Sequence, residues 1–585
     1  MVLLGGAGRA VAGDLLECLP AGAPLIVTFR TPLTTVDRLN AFTKRLPIDN
    51  PTRLNARWLM EEIAGNEGWD PQLPCAIVWT RPEWDMGHAV MCFVPATNHP
   101  RFSKLPAGPR GRRDVHAVAA TDKAQCFASR IGPFVVASKD KESLEKFTRK
   151  LEEGTLRRAL NADQIKLYDA SDVYVHLSVR PWLPKARMFL AQIGMVMKMA
   201  SAVNAQGADV NAAMFDWLIG GCETILKDMR STELAFRVTD SSFQLTHYHT
   251  FKPDGKVAAY IAAQHAEAGN LWEGLPDRPF LMAYATRISA AQDAQIFGDM
   301  VACMTRCETV KQKVSDGTFK EWNDVLSTWC KQQISSNLVL THESPNAWLE
   351  LYSTYYVHDV PIAFGCLSRF QKMGEEVQEL LMPTGGIPGK VSETRIDGVD
   401  VKEVLINLDD MDPAVRQMLG AIYGRQPLIQ FAPVGDDRLG YVMTNQRDGI
   451  KALFSRNVQR PLSSNEGIRR VSRELPDNPH MMIVFNVGTC FRYLPTLLSA
   501  MPGQSSHTLK PLPPDKSGGD PLVAWSLVLK NESVRGDLFL SQEDAVTIVT
   551  LAKAFAEVAE PAVTSTQPRS SQKPANPSSE GTTPR

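Results

Sequence analysis

The chain has 585 residues, too many for one hydrophobic core at about 100–200 residues per domain. Its apolar fraction of 44% and charged fraction of 22% are those of an ordinary globular protein. With 63 basic against 64 acidic residues the net charge is −1, which removes any whole-chain electrostatic case for nucleic acid. No run approaches the roughly 18 apolar residues of a bilayer span.

Val2–Ala7 and Ala10-Val11-Ala12 precede Gly13-Asp14, the small-residue pattern of a signal-peptidase site. Residues 1–13 therefore read as the remnant of a secretory signal, against the plainer reading of a loose N-terminus. A lead-in phrase then occurs three times: Leu19-Pro20, Leu275-Pro276 and Leu475-Pro476, each before an apolar run. Proline fixes φ and donates nothing to a ladder, so each phrase predicts a stiff entrance to a buried strand and, by repetition, a reused unit.

In chain order, Leu25–Phe29 predicts a strand, followed by a helix capped at Thr34 or Thr35 and ending near Leu46. Ala76–Trp79 with His88–Phe93 predicts one hairpin, and Phe127–Ile131 with Phe134–Ala137 another. Asp140 caps a helix carrying Leu144, Phe147 and Leu151. Val173–Val179 is a strand. A helix pair runs from Pro184 to Met229, and its first member is apolar almost all round, which predicts deep burial or a covered partner surface. Leu234–Val238 and Phe243–Phe251 form a hairpin. Helices follow near 289–314, 318–334 and 367–382, around a strand at 347–352. Val391–Ile396 and Val399–Ile406 pair about the Asp397-Gly398 turn, and Leu428–Pro433 pairs with Leu439–Thr444 before a helix near 446–455. Ala524–Lys530, Gly536–Leu540 and a helix from Gln542 close the fold.

This succession predicts an α+β protein of repeated, mainly antiparallel sheet units with flanking helices, in several domains. The units are 14–268, 269–470 and 471–559, with a Pro- and Ser-rich disordered tail at 560–585.

The candidate sites are few. Met188, Met195 and Met199 on the first long helix suit an adaptable groove for lipid or peptide, and equally a core. Arg110, Arg112 and Arg113 lie in a basic loop able to meet phosphates or anionic lipid. His247 and His249 share one side of a strand at metal-ligand spacing, with His176 as a possible third ligand. Pro383–Val391 lacks the spacing and the following helix of a phosphate loop. Asp409-Asp410-Met411-Asp412 reads as a helix start before Pro413, with no calcium-loop glycine. No Gly-x-Ser-x-Gly or Ser-x-x-Lys arrangement marks a nucleophile. The ten cysteines include no C-x-x-C, which argues against a zinc ribbon; Cys75 and Cys92 are the pair to test for a disulfide.

Leu19–Phe29, the hairpin at Ala76–Val94 and the segment Phe127–Phe147 resemble bacterial exported proteins known as a domain of unknown function. The resemblance covers the first 150 residues and implies an envelope location with no known activity. The expectation is a non-enzymatic, extracytoplasmic binding or scaffold protein without a cofactor, whose partner is a lipid, a peptide or an envelope protein. The alternatives are a metal-dependent hydrolase using His247 and His249, and a cytoplasmic location.

Overall fold

The computed structural model describes residues 15–48, 69–83, 86–94, 105, 116–121, 124–203, 208–264, 270–342, 349–381, 389–411, 413–424, 426–454, 460–499 and 521–564. The expected signal remnant, the basic loop and most of the tail lie outside them.

Among these residues the first half contributes β1 (Leu25–Phe29), β2 (Cys75–Trp79), β3 (Ala89–Phe93), β4 (His116–Thr121), β5 (Ala124–Ile131), β6 (Phe134–Ser138), β7 (Val173–Ser178), β8 (Met229–Val238) and β9 (Ser242–Phe251). The second contributes β10 (Phe280–Thr286), β11 (Gln333–His342), β12 (Leu349–Val357), β13 (Gly389–Ile396), β14 (Val399–Ile406), β15 (Leu428–Gly435), β16 (Arg438–Thr444), β17 (Met481–Asn486), β18 (Leu522–Lys530) and β19 (Ser533–Ser541). Every pairing is antiparallel, and together they make one 19-stranded sheet. The expected α+β architecture of antiparallel sheet with flanking helices holds.

The pairings give the order β4-β5-β6-β3-β2-β1-β7-β8-β9 in the first half. The second half runs β14-β15-β16-β12-β11-β10-β17-β18-β19, with β13 added outside β14. The two orders match strand for strand, and β9 joins β19 at the centre. Strand β17, from the stretch expected to form a third unit, pairs with β10 and stands where β7 stands.

Hydrogen bonds fix the correspondence residue by residue. Leu156 N–H donates to Leu19 O at 2.7 Å, and Leu462 N–H to Leu275 O at 2.8 Å. Pro20 bridges Thr155 as Pro276 bridges Pro461. Arg30 N–H donates to Asp172 O, and Arg287 N–H to His480 O. Asp172 N–H in turn meets Phe236 O, and His480 N–H meets Leu527 O. The first two lead-in phrases thus hold matched places. The third precedes β17 and has no such counterpart, because strand entrances of different position share the same need for a stiff, non-donating residue.

Helix α1 (Pro32–Arg45) begins earlier than expected, with Pro32 in its first turn where no N–H partner is required. Helix α2 (Lys141–Glu153) is capped by Asp140, whose carboxylate accepts from the N–H groups of Glu142 and Ser143. Its Leu144, Phe147 and Leu151 pack on β3 and β6 with Leu19, Val90, Phe134 and Val136. Helix α3 (Leu156–Ala159) and α4 (Ala162–Ala170) follow; Asn161 and Gln164 make a reciprocal capping box on α4. Where a helix is expected near 446–455, the described residues 446–454 form a 3-10 turn, Gly449–Leu453. Strands β4 and β11 were not expected; Gln333-Ile334-Ser335-Ser336 follows a helical pattern without a breaker, which hides the start of β11.

The Asp397-Gly398 turn has positive φ at both residues, 50° and 84°, as a two-residue hairpin of this hand requires. Cys75 and Cys92 belong to opposite faces of the β2–β3 hairpin: Cys75 packs with Ile77 and Phe93, Cys92 with Val78 and Val90. They cannot bridge, and burial pushes the Cys75 thiol up to about 12.

Candidate functional site

Between β7 and β8 stand α5 (Leu183–Val203) and α6 (Ala208–Asp228), 21 residues each. At 1.5 Å per residue each is about 30 Å long. Helix α5 packs on α6; Leu183, Ala186 and Leu190 are half-buried, and Gly194 is the one buried position along 183–200. There the absence of a side chain lets Ile219 approach closely. After the short helix α7 (Lys256–Ala262) come α8 (Asp293–Met304), α9 (Glu308–Lys313) and α10 (Asp316–Gln332), on which α6 packs its first turns, with Val210 among Val301, Met304 and Trp322.

Of the two outcomes expected for α5, deep burial within the chain is not found. Met188 is 60% exposed, Phe189 61%, Met195 58%, Val196 64% and Met199 67%. The physical reason is topological. The hairpin leaves the sheet at the 3-10 turn Arg180–Trp182, and its second helix alone is clasped by α8 to α10, so α5 lies on the outside. Met188, Met195 and Met199 are exposed, as are Met214, Leu218 and Ile225 on α6. The charged side chains of α5 are Lys185, Arg187 and Lys198, and it carries no acid. Among the described residues no helix is long and apolar enough to cross a membrane. Arg110, Arg112 and Arg113 lie outside the described residues.

His247 and His249 do share a face, with ring centroids 5.1 Å apart. Their nitrogens are all engaged. The Trp525 indole, a donor only, gives its N–H to His247 Nε2 at 3.2 Å. His247 therefore carries its proton on Nδ1 and donates to His249 Nε2 at 3.1 Å. His249 Nδ1–H donates to Thr232 Oγ1 at 3.1 Å, and the Thr232 hydroxyl donates to Met229 Sδ at 3.2 Å. This assignment of tautomers follows from the indole. It leaves no lone pair for a metal. His176, pairing across to Glu233 and thence to Tyr248, faces the other side of the sheet. Among the described residues no three His, Cys, Asp or Glu groups come together as a metal site. The proposed metal site is corrected accordingly: two-residue spacing put the imidazoles on one face but could not show what their nitrogens meet.

Burial lowers His249 to about 4, helped by the neighbouring His247. His247 is lowered too, by burial, against the opposing pull of Asp537. A folded pKa below the unfolded 6.5 means that the unfolded chain takes up the proton first. The contribution is whole above about 6.5 and is lost as pH falls to about 4. Urea titrations at about pH 7 and pH 5.5 are expected to differ by about 1 kcal/mol more in the parent than in His249→Gln. Equal differences in the two proteins contradict the relay.

A second feature escaped the sequence reading. At the root of the hairpin lies a cleft of about 870 Å³, lined by the start of α4, by His176 and Ser178 of β7, by Arg180, and by Lys227 and Arg230. His176 Nδ1 meets Glu233 Oε1 at 3.1 Å. Gln164 Nε2 donates to the same oxygen at 2.6 Å and to Ser231 at 3.2 Å. Glu233 is 0% exposed, and its Oε2 has no hydrogen-bond partner among the described residues. A lone glutamate between Thr232 and Leu234 gives no sequence signal, because its place opposite His176 is set by a strand pairing across the whole hairpin.

No family model matches the chain, and no curated protein matches it. Among solved structures, crystal form I of TP0453 is similar over 48% of this chain and 98% of its own, at 7% identity and a TM-score of 0.20. Crystal form IV of TP0453 covers 49% and 99%, at 9% identity and a TM-score of 0.21.

Proposed function

We propose that the chain is a non-enzymatic binding protein of a bacterial envelope, working outside the cytoplasm, and that the α5–α6 hairpin is its binding element. The single observation that carries this is the exposure of apolar side chains around α5. Exposed apolar patches beyond a few hundred Å² mark interaction surfaces. The occupant is an anionic lipid surface. Helix α5 combines Met, Phe, Ile and Val with Lys185, Arg187 and Lys198, the last paired with Asp216 of α6 at 2.7 Å, and has no carboxylate of its own. That composition suits shallow insertion at the headgroup boundary, where apolar burial and attraction to anionic lipid add. The matched strand orders support a second element of the reading: the chain is an internal duplication in which only the first half carries a long hairpin among the described residues.

Flotation of the full chain with vesicles tests the reading. Binding to phosphatidylglycerol vesicles and weak binding to phosphatidylcholine vesicles is the expected result. A chain that stays with neither, and instead forms stable dimers through the hairpin, overturns it.

A further inference from the structure

The matched halves provide a comparison within one molecule. Asp172 corresponds to His480 and Phe236 to Leu527, through their shared hydrogen bonds. Four residues along, His176 corresponds to Val484; three back, Glu233 corresponds to Ala524. The ladders agree, pairing His176 with Glu233 and Val484 with Ala524. Val484 and Ala524 are both fully buried in the apolar core of the second half. The architecture at this position is therefore satisfied by an apolar pair. The first half instead buries a carboxylate and an imidazole, whose desolvation has to be recovered by pairing. A polar pair kept where the same fold needs none points to a ligand.

The cleft above the pair has the chemistry of an anion site. Its lining includes Arg180, Lys227, Arg230 and Lys252 against Asp163 and Glu532. Asp163 is itself drawn to Lys166 at 3.7 Å and Lys530 at 3.9 Å, and Lys227 to Glu223 at 3.2 Å, which leaves Arg180 and Arg230 as the cations the site relies on. Helix α4 starts at the cleft, and Asn161 and Gln164 use each other's N–H groups while those of Ala162 and Asp163 remain at the helix N-terminus, a position favourable to anions. His176 is 5% exposed and lines the cleft, with Nδ1 held by Glu233, so Nε2 is the nitrogen left for a ligand. We propose that this cleft binds a phosphate group, gripped by His176 from the floor and by Arg180 and Arg230 from the rim. The Nε2 atom is the imidazole's hydrogen-bonding atom toward the phosphate oxygens. The corresponding cleft of the second half, about 1130 Å³, sets Arg45, Arg278 and Arg470 against Asp277, Glu466, Glu543 and Asp544 and has no such balance.

The phosphate can be a lipid headgroup or a free ester, and the test separates them. Calorimetric titration of the full chain with inorganic phosphate and with glycerol 3-phosphate is expected to show one site per chain. Arg230→Gln, an exposed change, is expected to weaken it at least tenfold. The double variant His176→Val with Glu233→Ala copies the second half, so it is expected to fold with an equal or higher unfolding midpoint and to lose the site. Competition by phosphatidylglycerol vesicles assigns the site to a headgroup; undiminished binding in their presence assigns it to a free ester. Unchanged phosphate affinity in the double variant overturns the proposal, as does failure of the parent to bind, or unfolding of the double variant, which makes the pair structural. The hairpin reading is independent: vesicle flotation can persist when phosphate titration fails.

Discussion

Replacing Phe189, Met195 and Met199 together by glutamine is expected to lower binding to phosphatidylglycerol vesicles about 100-fold and to leave the fold intact. The three side chains are among the most exposed apolar groups of the molecule, so their loss opens no cavity. Glutamine is a good helix former, so α5 keeps its intrinsic propensity. Full burial of a Met or Phe side chain is worth about 1.5–3 kcal/mol. Half of that for each of three groups, at the lipid boundary, amounts to about 2–4 kcal/mol, and each 1.4 kcal/mol is about tenfold in affinity. Circular dichroism identical to the parent, with flotation lost, is the predicted pair of results. Flotation retained by the triple variant removes the hairpin from consideration. Arg187→Gln, at an exposed position of α5, is the companion change: it is predicted to weaken binding mainly at low salt, where attraction to anionic headgroups is least screened.

The second large effect lies at the joint between the halves. Gly536 of β19 stands directly across from His247 of β9. A Cβ built on Gly536 overlaps the His247 ring. The ring cannot swing aside without breaking the chain of hydrogen bonds from Trp525 through His249 to Thr232. It is also stacked on the Trp525 indole, with centroids 6.0 Å apart. Gly536→Val is therefore expected to cost about 1–3 kcal/mol from overpacking, with about 1 kcal/mol for each hydrogen bond that breaks. The mechanism makes a sharper statement than the magnitude. In a Gly536→Ala, His247→Ala double variant the overlap disappears, so the two changes should be strongly non-additive, the double being less damaged than the sum of the singles. Additive losses in denaturant midpoints show that the glycine is needed for some other reason.

Much of the fold was legible because its signals are local. Asp140 caps a helix whose Leu144, Phe147 and Leu151 repeat at helical spacing, and Asp397-Gly398 marks a turn that needs positive φ; both stand as expected. What stayed hidden depends on which strand lies beside which. The repeated Leu-Pro phrase drew attention to three places, yet only two correspond, and the true correspondence rests on backbone hydrogen bonds that any side chain can make. The pattern of α5 is apolar almost all round, but whether such a helix is covered depends on neighbours far away in sequence. The His176–Glu233 pair is invisible to spacing, since its members are separated by the whole hairpin. His247 and His249 illustrate the converse. Their spacing was informative about direction, while the decisive partner, Trp525, comes from the other half of the chain.

The union of β9 with β19 has one more implication. The turns Thr239–Ser242 and Lys530–Ser533 are matched, so Ser242 corresponds to Ser533 and Thr246 to Asp537. Thr246 and Asp537 also face each other in the ladder, where the Thr246 hydroxyl donates to the carboxylate at 2.6 Å. A local dyad therefore passes between them, and the seam is isologous, as in a homodimer whose subunits share one polypeptide. Each half alone ends in an edge that is the natural complement of its own copy. Severed halves should find themselves again as symmetric pairs, and intact chains at high concentration have the means to exchange halves across the same seam.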